Sequence, residues 1–250
     1  MATIKNYKKL GLLALASVLI AVSGCSSQES SYGQINDPAE NINRKIFAFN
    51  DALDTAIMRP VAKGYRWAVP QPIRMNVRNF LRNLRTPLIM GNKLLQGDVE
   101  GFAGATMRGL VNTTFGFGGV ADVAGAAGIP YEPEDFGQTL AVWGLDHGAY
   151  VMIPLMGPSS VRDATGIAVD TLADPLRIWA HNTDRDGWWF ARVATSALDA
   201  RTDLLDVLDG MKRDSIDYYA AMRSSYVQRR EALVRDENDE SGDADIPEYN

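Results

Sequence analysis

The stretch NDPAENINRKIFAFNDALDTAIMRP, residues 36–60, decides how the rest of the chain is read. Asp37 stands as an N-cap, Pro38 at the first helical position, and Glu40 where a capping-box acid belongs. Ile42, Ile46, Phe49, Leu53 and Ile57 follow at spacings of four, three, four and four, which is one apolar stripe along a helix. Pro60 disfavours helix in the residue before it, so the helix is expected to stop near Arg59. A helix apolar on one stripe and polar elsewhere is built to lie at a surface.

The same pattern recurs downstream. Between Pro72 and Arg85, the side chains of Ile73, Val77, Phe80, Leu81 and Leu84 share a helical face. Arg74, Arg78, Arg82 and Arg85 run along another face, either as a solvated, salt-bridged surface or as guanidiniums that meet lipid phosphates. Pro87 opens a short helix that closes near Gln96-Gly97-Asp98, and another helix runs from about Val99 to Thr113. The segment FGFGGVADVAGAAGIP, residues 115–130, is too rich in glycine and alanine for an independent element and reads as a packed loop.

Thr139 to Val142 and Ala149 to Ile153 read as the strands of a hairpin, around a turn holding Gly144, Asp146 and Gly148. Helical periodicity then predicts segments from Ser159 to Leu172, Pro175 to Ala180, Gly187 to Leu208 and Lys212 to Arg235. Strands and helices do not alternate, so a parallel sheet is not expected.

Towards the N-terminus, Lys5, Lys8 and Lys9 precede an apolar run from Leu10 to Val22, then Ser23, Gly24 and Cys25, the chain's one cysteine. This is the layout of a signal peptide, and the apolar run is shorter than the roughly 18 residues of a spanning helix. Residues 1–24 are therefore expected to be removed. Val22-Ser23-Gly24-Cys25 is similar to a bacterial lipobox, in which the cysteine is acylated; the alternative is an unmodified thiol just past an ordinary cleavage site. Ser26, rather than an aspartate, would sort such a lipoprotein to the outer membrane. Residues 25–35 form a polar, lipidated tether.

The far end, from Asp236 onward, carries seven acids and no base, and reads as a disordered tail over residues 236–250. Without the signal and the tail, 22 basic residues face 24 acidic ones. A body so near neutrality gives no support for a nucleic-acid partner.

Signals for covalent chemistry are weak. Gly116-Phe117-Gly118-Gly119-Val120-Ala121 matches a dinucleotide fingerprint in letters only, since a helix precedes it where that motif needs a strand. Ser159 or Ser160 with His147 and Asp163 supplies the residue types of a hydrolase triad, but G-x-S-x-G is absent. His147 and His181 are isolated, so no metal is expected, and nothing implies a cofactor. Trp188-Trp189-Phe190, with Trp179, suits either an interfacial aromatic belt or core packing.

These residues taken together resemble the MlaA (VacJ) family of outer-membrane lipoproteins. The resemblance is carried by Asn36-Asp37-Pro38 with Asn43, Arg44, Phe47, Phe49 and Asn50, then Arg59-Pro60-Val61-Ala62 and Val69-Pro70-Gln71-Pro72. It continues through Asn79-Phe80, Leu95-Gln96-Gly97-Asp98, Arg108, Asn112-Thr113, Gly116, Gly118-Gly119, Phe136-Gly137, Gly148 with Tyr150, and Arg162-Asp163.

The resemblance implies a mainly α, ring-like single domain over residues 36–235. Its short amphipathic helices and one β-hairpin would be embedded in the inner leaflet of the outer membrane around a central channel. It also implies a non-enzymatic role: mislocalised phospholipid leaves the outer leaflet through the channel, beside a trimeric outer-membrane porin, and passes to the periplasmic lipid carrier MlaC. A gating hairpin would correspond to Phe136 through Pro154, including Gly137, Gly144, Gly148 and Tyr150. The usual Gly-Pro-Tyr is here Gly148-Ala149-Tyr150, which frees a backbone N–H and relaxes φ. The rival readings are an outer-membrane phospholipase and a structural, porin-associated lipoprotein.

Overall fold

A computed structural model describes residues 35–235, so the signal peptide, Cys25, Ser26, most of the tether and the acidic tail lie outside the described residues. The stripe of residues 42–57 forms α1 (Glu40–Leu53), but the helical backbone does not end at Arg59. It widens into a π-helical turn (Asp54–Met58), in which Arg59 N–H reaches back to the Asp54 carbonyl, and continues as α2 (Arg59–Ala68). Pro60 is the second residue of α2, directly after the π-turn, so the helical run passes through a residue with no N–H to donate. Asp37 is not the cap either. Ala39 holds that position, and the Asp37 carboxylate instead accepts from Asn43 Nδ2 at 2.8 Å, Tyr219 Oη at 2.5 Å and Arg223 Nη1 at 2.7 Å.

The second proline is also absorbed. α3 (Gln71–Gln96) runs unbroken through Pro87, so no separate helix starts there. An interior proline costs about 3 kcal/mol, and the packing of α3 against α4 (Val99–Thr114) offsets it. The two helices approach so closely at Gly109 that an added Cβ would lie 2.7 Å from Thr86 Cγ2. Gly97, at φ 79°, closes α3, and the Asp98 side chain caps α4 by accepting from Gly101 N.

The following loop is as expected, apart from the short α5 (Val123–Ala126) capped by Asp122. The hairpin is displaced. Phe136–Val142 is a helix, α6, and β1 (Tyr150–Ile153) pairs antiparallel with β2 (Gly157–Ser160), with Tyr150 opposite Ser160 and Ile153 opposite Gly157. The physical reason lies at Asp135, whose Oδ1 accepts from Gln138 N at 2.9 Å and caps α6. An N-cap fixes a helix start against the strand preference of Thr139 and Val142. Ser160 likewise caps α7 (Val161–Ala173), accepting from Asp163 N at 3.1 Å, so Ser159 and Ser160 belong to β2 and not to the helix.

Asp174 caps α8 (Pro175–Asn182). The long helix expected from Gly187 breaks at Leu204 into α9 (Asp186–Asp203) and α10 (Leu205–Asp214). The last helix is α11 (Tyr218–Val234), not one running from Lys212: Ser215 is extended, and Asp217 caps α11 through Ala220 N at 3.1 Å.

Side chains are distributed opposite to the usual pattern. Among the described residues, nine apolar side chains are buried against fifteen polar or charged ones. Trp67, Phe117, Leu155 and Phe115 are each more than 70 % exposed. Water alone would drive such aromatic and aliphatic surface inward.

Candidate functional site

α1 holds the hairpin through its asparagines. Asn43 and Asn50 are seven residues apart and so share one helical face. Asn43 donates through Nδ2 to the Tyr150 carbonyl at 3.1 Å and accepts from Met152 N at 2.9 Å. Asn50 repeats the pattern one step on, donating to the Ile153 carbonyl at 3.0 Å and accepting from Leu155 N at 2.8 Å. Two carboxamides thereby satisfy the outer edge of β1 as a third strand would. They also fix the turn, where Leu155 sits in the left-handed region at φ 67° with its side chain in the open.

Asn50→Ala is expected to cost about 1–2 kcal/mol, since it strands one donor and one acceptor. Hydrogen exchange at the Leu155 amide should accelerate before the core opens, and unchanged protection there would contradict the clamp.

α11 grips the other side of the hairpin. Tyr219, Arg223, Tyr226 and Arg230 recur at spacings of four, three and four on one face. Arg230 pairs with Asp135 at 2.6 Å and with Asp163 at 2.8 Å, and the Tyr226 hydroxyl donates to Asp163. Tyr150 packs edge-on against both Tyr219 and Tyr226, with ring centroids 6.1 and 5.9 Å away.

Of the residues expected in a gating hairpin, only Tyr150 and Pro154 lie in this one. Phe136 and Gly137 are in α6, while Gly144 and Gly148, at φ 90° and 67°, lie in the α6–β1 connection. Asp135-x-x-Gln138 and Ser160-x-x-Asp163 are the capping signals that mark the true boundaries.

A cavity of about 310 Å³ opens where the π-turn, α2, α9, α10 and the start of α11 meet. Six of its nine lining residues are charged, and most of the surface they and Thr55, Leu208 and Tyr218 turn to it is apolar. Arg59 forks onto Asp209 with contacts of 2.7–3.1 Å, and Arg201 onto Asp54 at 2.6 and 2.8 Å. Lys212 donates to Asp51 at 2.6 Å and to Thr55 Oγ1 at 3.2 Å. The Arg59 fork holds the Asp209 carboxyl below the usual carboxylate range, and burial pushes the Tyr218 hydroxyl up. The π-turn places Asp54 and Thr55 on this wall, a placement that helical periodicity alone does not reveal.

The arginine row of α3 is put to separate uses. Arg78 is committed to Asp199 at 2.8 Å and to Asp203. Arg74 donates to the Val69 carbonyl at 3.2 Å, Arg82 lies 4.6 Å over the Tyr131 ring, and the Arg85 charge favours ionised Asp170. Trp188 and Phe190 are exposed, while Trp189 lies under Arg192 at 5.4 Å.

No catalytic triad assembles. Ser159 and Ser160 are buried, His147 contacts Arg162 Nη2 at 3.1 Å, and Asp163 is engaged by Arg162, Arg230 and Tyr226. The glycine motif at Gly116 follows α4 rather than a strand. Among the described residues no cluster suited to a metal occurs, and no helix is long and apolar enough to cross a membrane.

Apolar side chains outward, charged pairs inward and a helical body with one clamped hairpin are the build of a protein that meets a membrane surface. The chain belongs to the MlaA lipoprotein family, which matches residues 35–233. It is 38% identical over 231 residues to the intermembrane phospholipid transport system lipoprotein MlaA of Escherichia coli (strain K12), spanning 90% of this chain and 89% of the relative. The Haemophilus influenzae protein of the same name is 31% identical over 90% of both chains. An uncharacterized protein of Rickettsia felis is 38% identical over 81% of this chain and 79% of its own. A solved structure, from work on how bacterial outer-membrane lipid asymmetry is maintained, superposes with a TM-score of 0.68 at 36% identity. That match covers 79% of this chain and 98% of the other.

Proposed function

We propose that this chain is an outer-membrane lipoprotein that takes misplaced phospholipid from the outer leaflet and delivers it to a periplasmic carrier of the MlaC kind. Lipid passes along a polar passage between helices arranged as a ring in the inner leaflet, next to a trimeric porin. No covalent step is involved. The observation that carries the reading is the reversed side-chain distribution. Amphipathic helices can present Trp67, Phe115 and Phe117 to acyl chains, while the Arg59–Asp209 and Arg201–Asp54 pairs provide an interior that a head group can cross. Arg74, Arg82 and Arg85 suit the phosphate layer at the rim; Arg78 does not, being held by Asp199.

Within this reading, Cys25 and Ser26 serve export and sorting, and the hairpin from Tyr150 to Ser160 is the gate. Deleting the gene should raise phospholipid in the outer leaflet, scored by lipid A palmitoylation, and the intact gene should restore it. Unchanged asymmetry would favour the structural, porin-associated alternative. A phospholipase would release fatty acid from phospholipid in vitro, an outcome opposed by the burial of Ser159 and Ser160.

A further inference from the structure

The geometry points to a phosphate-anchoring site in the 310 Å³ cavity, with Lys212 and Arg213 as exchangeable donors that hold the phosphodiester of a glycerophospholipid. The inference rests on the conduit reading and says what the conduit recognises. A cavity of this size is at the lower end of ordinary small-ligand sites, enough for a phosphate and a small head alcohol.

Four cations and two acids line the wall, and the cations fall into two kinds. Arg59 and Arg201 are forked onto carboxylates of other elements, Asp209 and Asp54, with side chains 39 % and 10 % exposed. Arg201 also keeps a buried Nη1 without a hydrogen-bond partner, while its Nη2 bonds Asp54 and lies 3.8 Å from Asp209.

Lys212 and Arg213 are different. Lys212 is 45 % exposed and meets Asp51 through one nitrogen, and Arg213 is 74 % exposed and forked only onto its sequence neighbour Asp214. Exposed ion pairs of this sort contribute little, so exchanging a carboxylate for a phosphate costs little and gains charge-assisted hydrogen bonds. Both residues lie in the last turn of α10, where the helix dipole favours their positive charge. Thr55 and Tyr218 add hydroxyl donors on the same wall. Burial keeps the Tyr218 hydroxyl protonated and able to donate.

The group recognised is common to all glycerophospholipids. The site therefore separates phospholipid from neutral diacylglycerol, and does not separate one head alcohol from another.

The test uses the purified full chain in detergent, the double variant Lys212→Gln/Arg213→Gln, and Lys45→Gln on exposed α1 as a charge control. Binding is measured for phosphatidylethanolamine, phosphatidylglycerol, diacylglycerol with the same acyl chains, and inorganic phosphate. The double variant should bind both phospholipids about tenfold more weakly, the worth of one charge-assisted contact. Diacylglycerol binding should not change, and Lys45→Gln should behave as wild type. Wild-type phospholipid affinity in the double variant, or equal weakening of diacylglycerol, overturns the anchor and leaves the conduit reading standing. Wild-type protein that binds neither phospholipid overturns the conduit reading itself. Wild-type protein that binds inorganic phosphate and no phospholipid reassigns the cavity to free phosphate and overturns the lipid anchor.

Discussion

Asp163→Ala is expected to destabilise the protein by about 3–5 kcal/mol, the cost of removing one partner from a buried ion-pair cluster. The Asp163 side chain is 7 % exposed and is shared by Arg162 at 3.0 Å, Arg230 at 2.8 Å and the Tyr226 hydroxyl. Alanine would leave two buried guanidiniums with one acid fewer, at the point where β2, α7 and α11 meet. Thermal unfolding in detergent measures this, and a loss below about 1 kcal/mol would remove the cluster from the determinants of stability.

The same group sets part of the acid response. Burial pushes the Asp163 carboxyl up, but Arg230, Tyr226 and Arg162 outweigh that and hold it below its ordinary 3.8. Its contribution is therefore complete above the unfolded value and is lost as pH falls through the lower folded value. Glu134 and Asp170 are shifted upward by burial, so they penalise the folded state at neutral pH and this penalty fades in acid. Asp163→Ala should accordingly lose less further stability than wild type between about pH 5 and pH 2. A parallel decline of the two proteins would assign the acid sensitivity to other carboxylates.

Gly166→Ala is the second large effect. A Cβ at Gly166 would fall 2.3 Å from Gly137 N and 2.7 Å from Gly137 Cα, against backbone that no rotamer change can move. α6 and α7 would have to separate, at about 3 kcal/mol, the upper part of the usual range for overpacking. The variant should melt earlier and lose hydrogen-exchange protection in α6. Wild-type stability would mean that the two glycines do not set this helix separation. Gly109→Ala is the milder comparison, because the atom it meets, Thr86 Cγ2, belongs to a side chain that can turn aside.

The helical class, the stripe of α1 and the close of α3 near Gln96-Gly97-Asp98 could all be read along the chain. Each depends on residues within one or two turns of one another. The prolines were misleading for a related reason. Pro60 and Pro87 carry strong local penalties, and a local reading cannot see a π-turn or the α3–α4 contact that absorbs them. In the hairpin, Thr139 to Val142 has strand-like composition, yet the Asp135 cap and the Gly137–Gly166 approach make it helical. A closer reading of the pairs Asp135–Gln138 and Ser160–Asp163 would have placed both boundaries, because capping is itself local.

The candidate site was much less legible. Arg59 and Asp209 are 150 positions apart, Arg201 and Asp54 147, and Asp37 and Arg223 186. The sequence by itself determined the amphipathic helices, the near-neutral body and the family resemblance, because spacing and composition are properties of neighbours. Tertiary structure alone decided which of the many arginines face carboxylates and which face a cavity. It also decided that Asn43 and Asn50 hold a strand, and that polar groups turn inward while aromatic ones turn out. Those outcomes depend on which distant segments meet, and an ion pair or a carboxamide clamp gains its energy only after the backbone has brought both halves together.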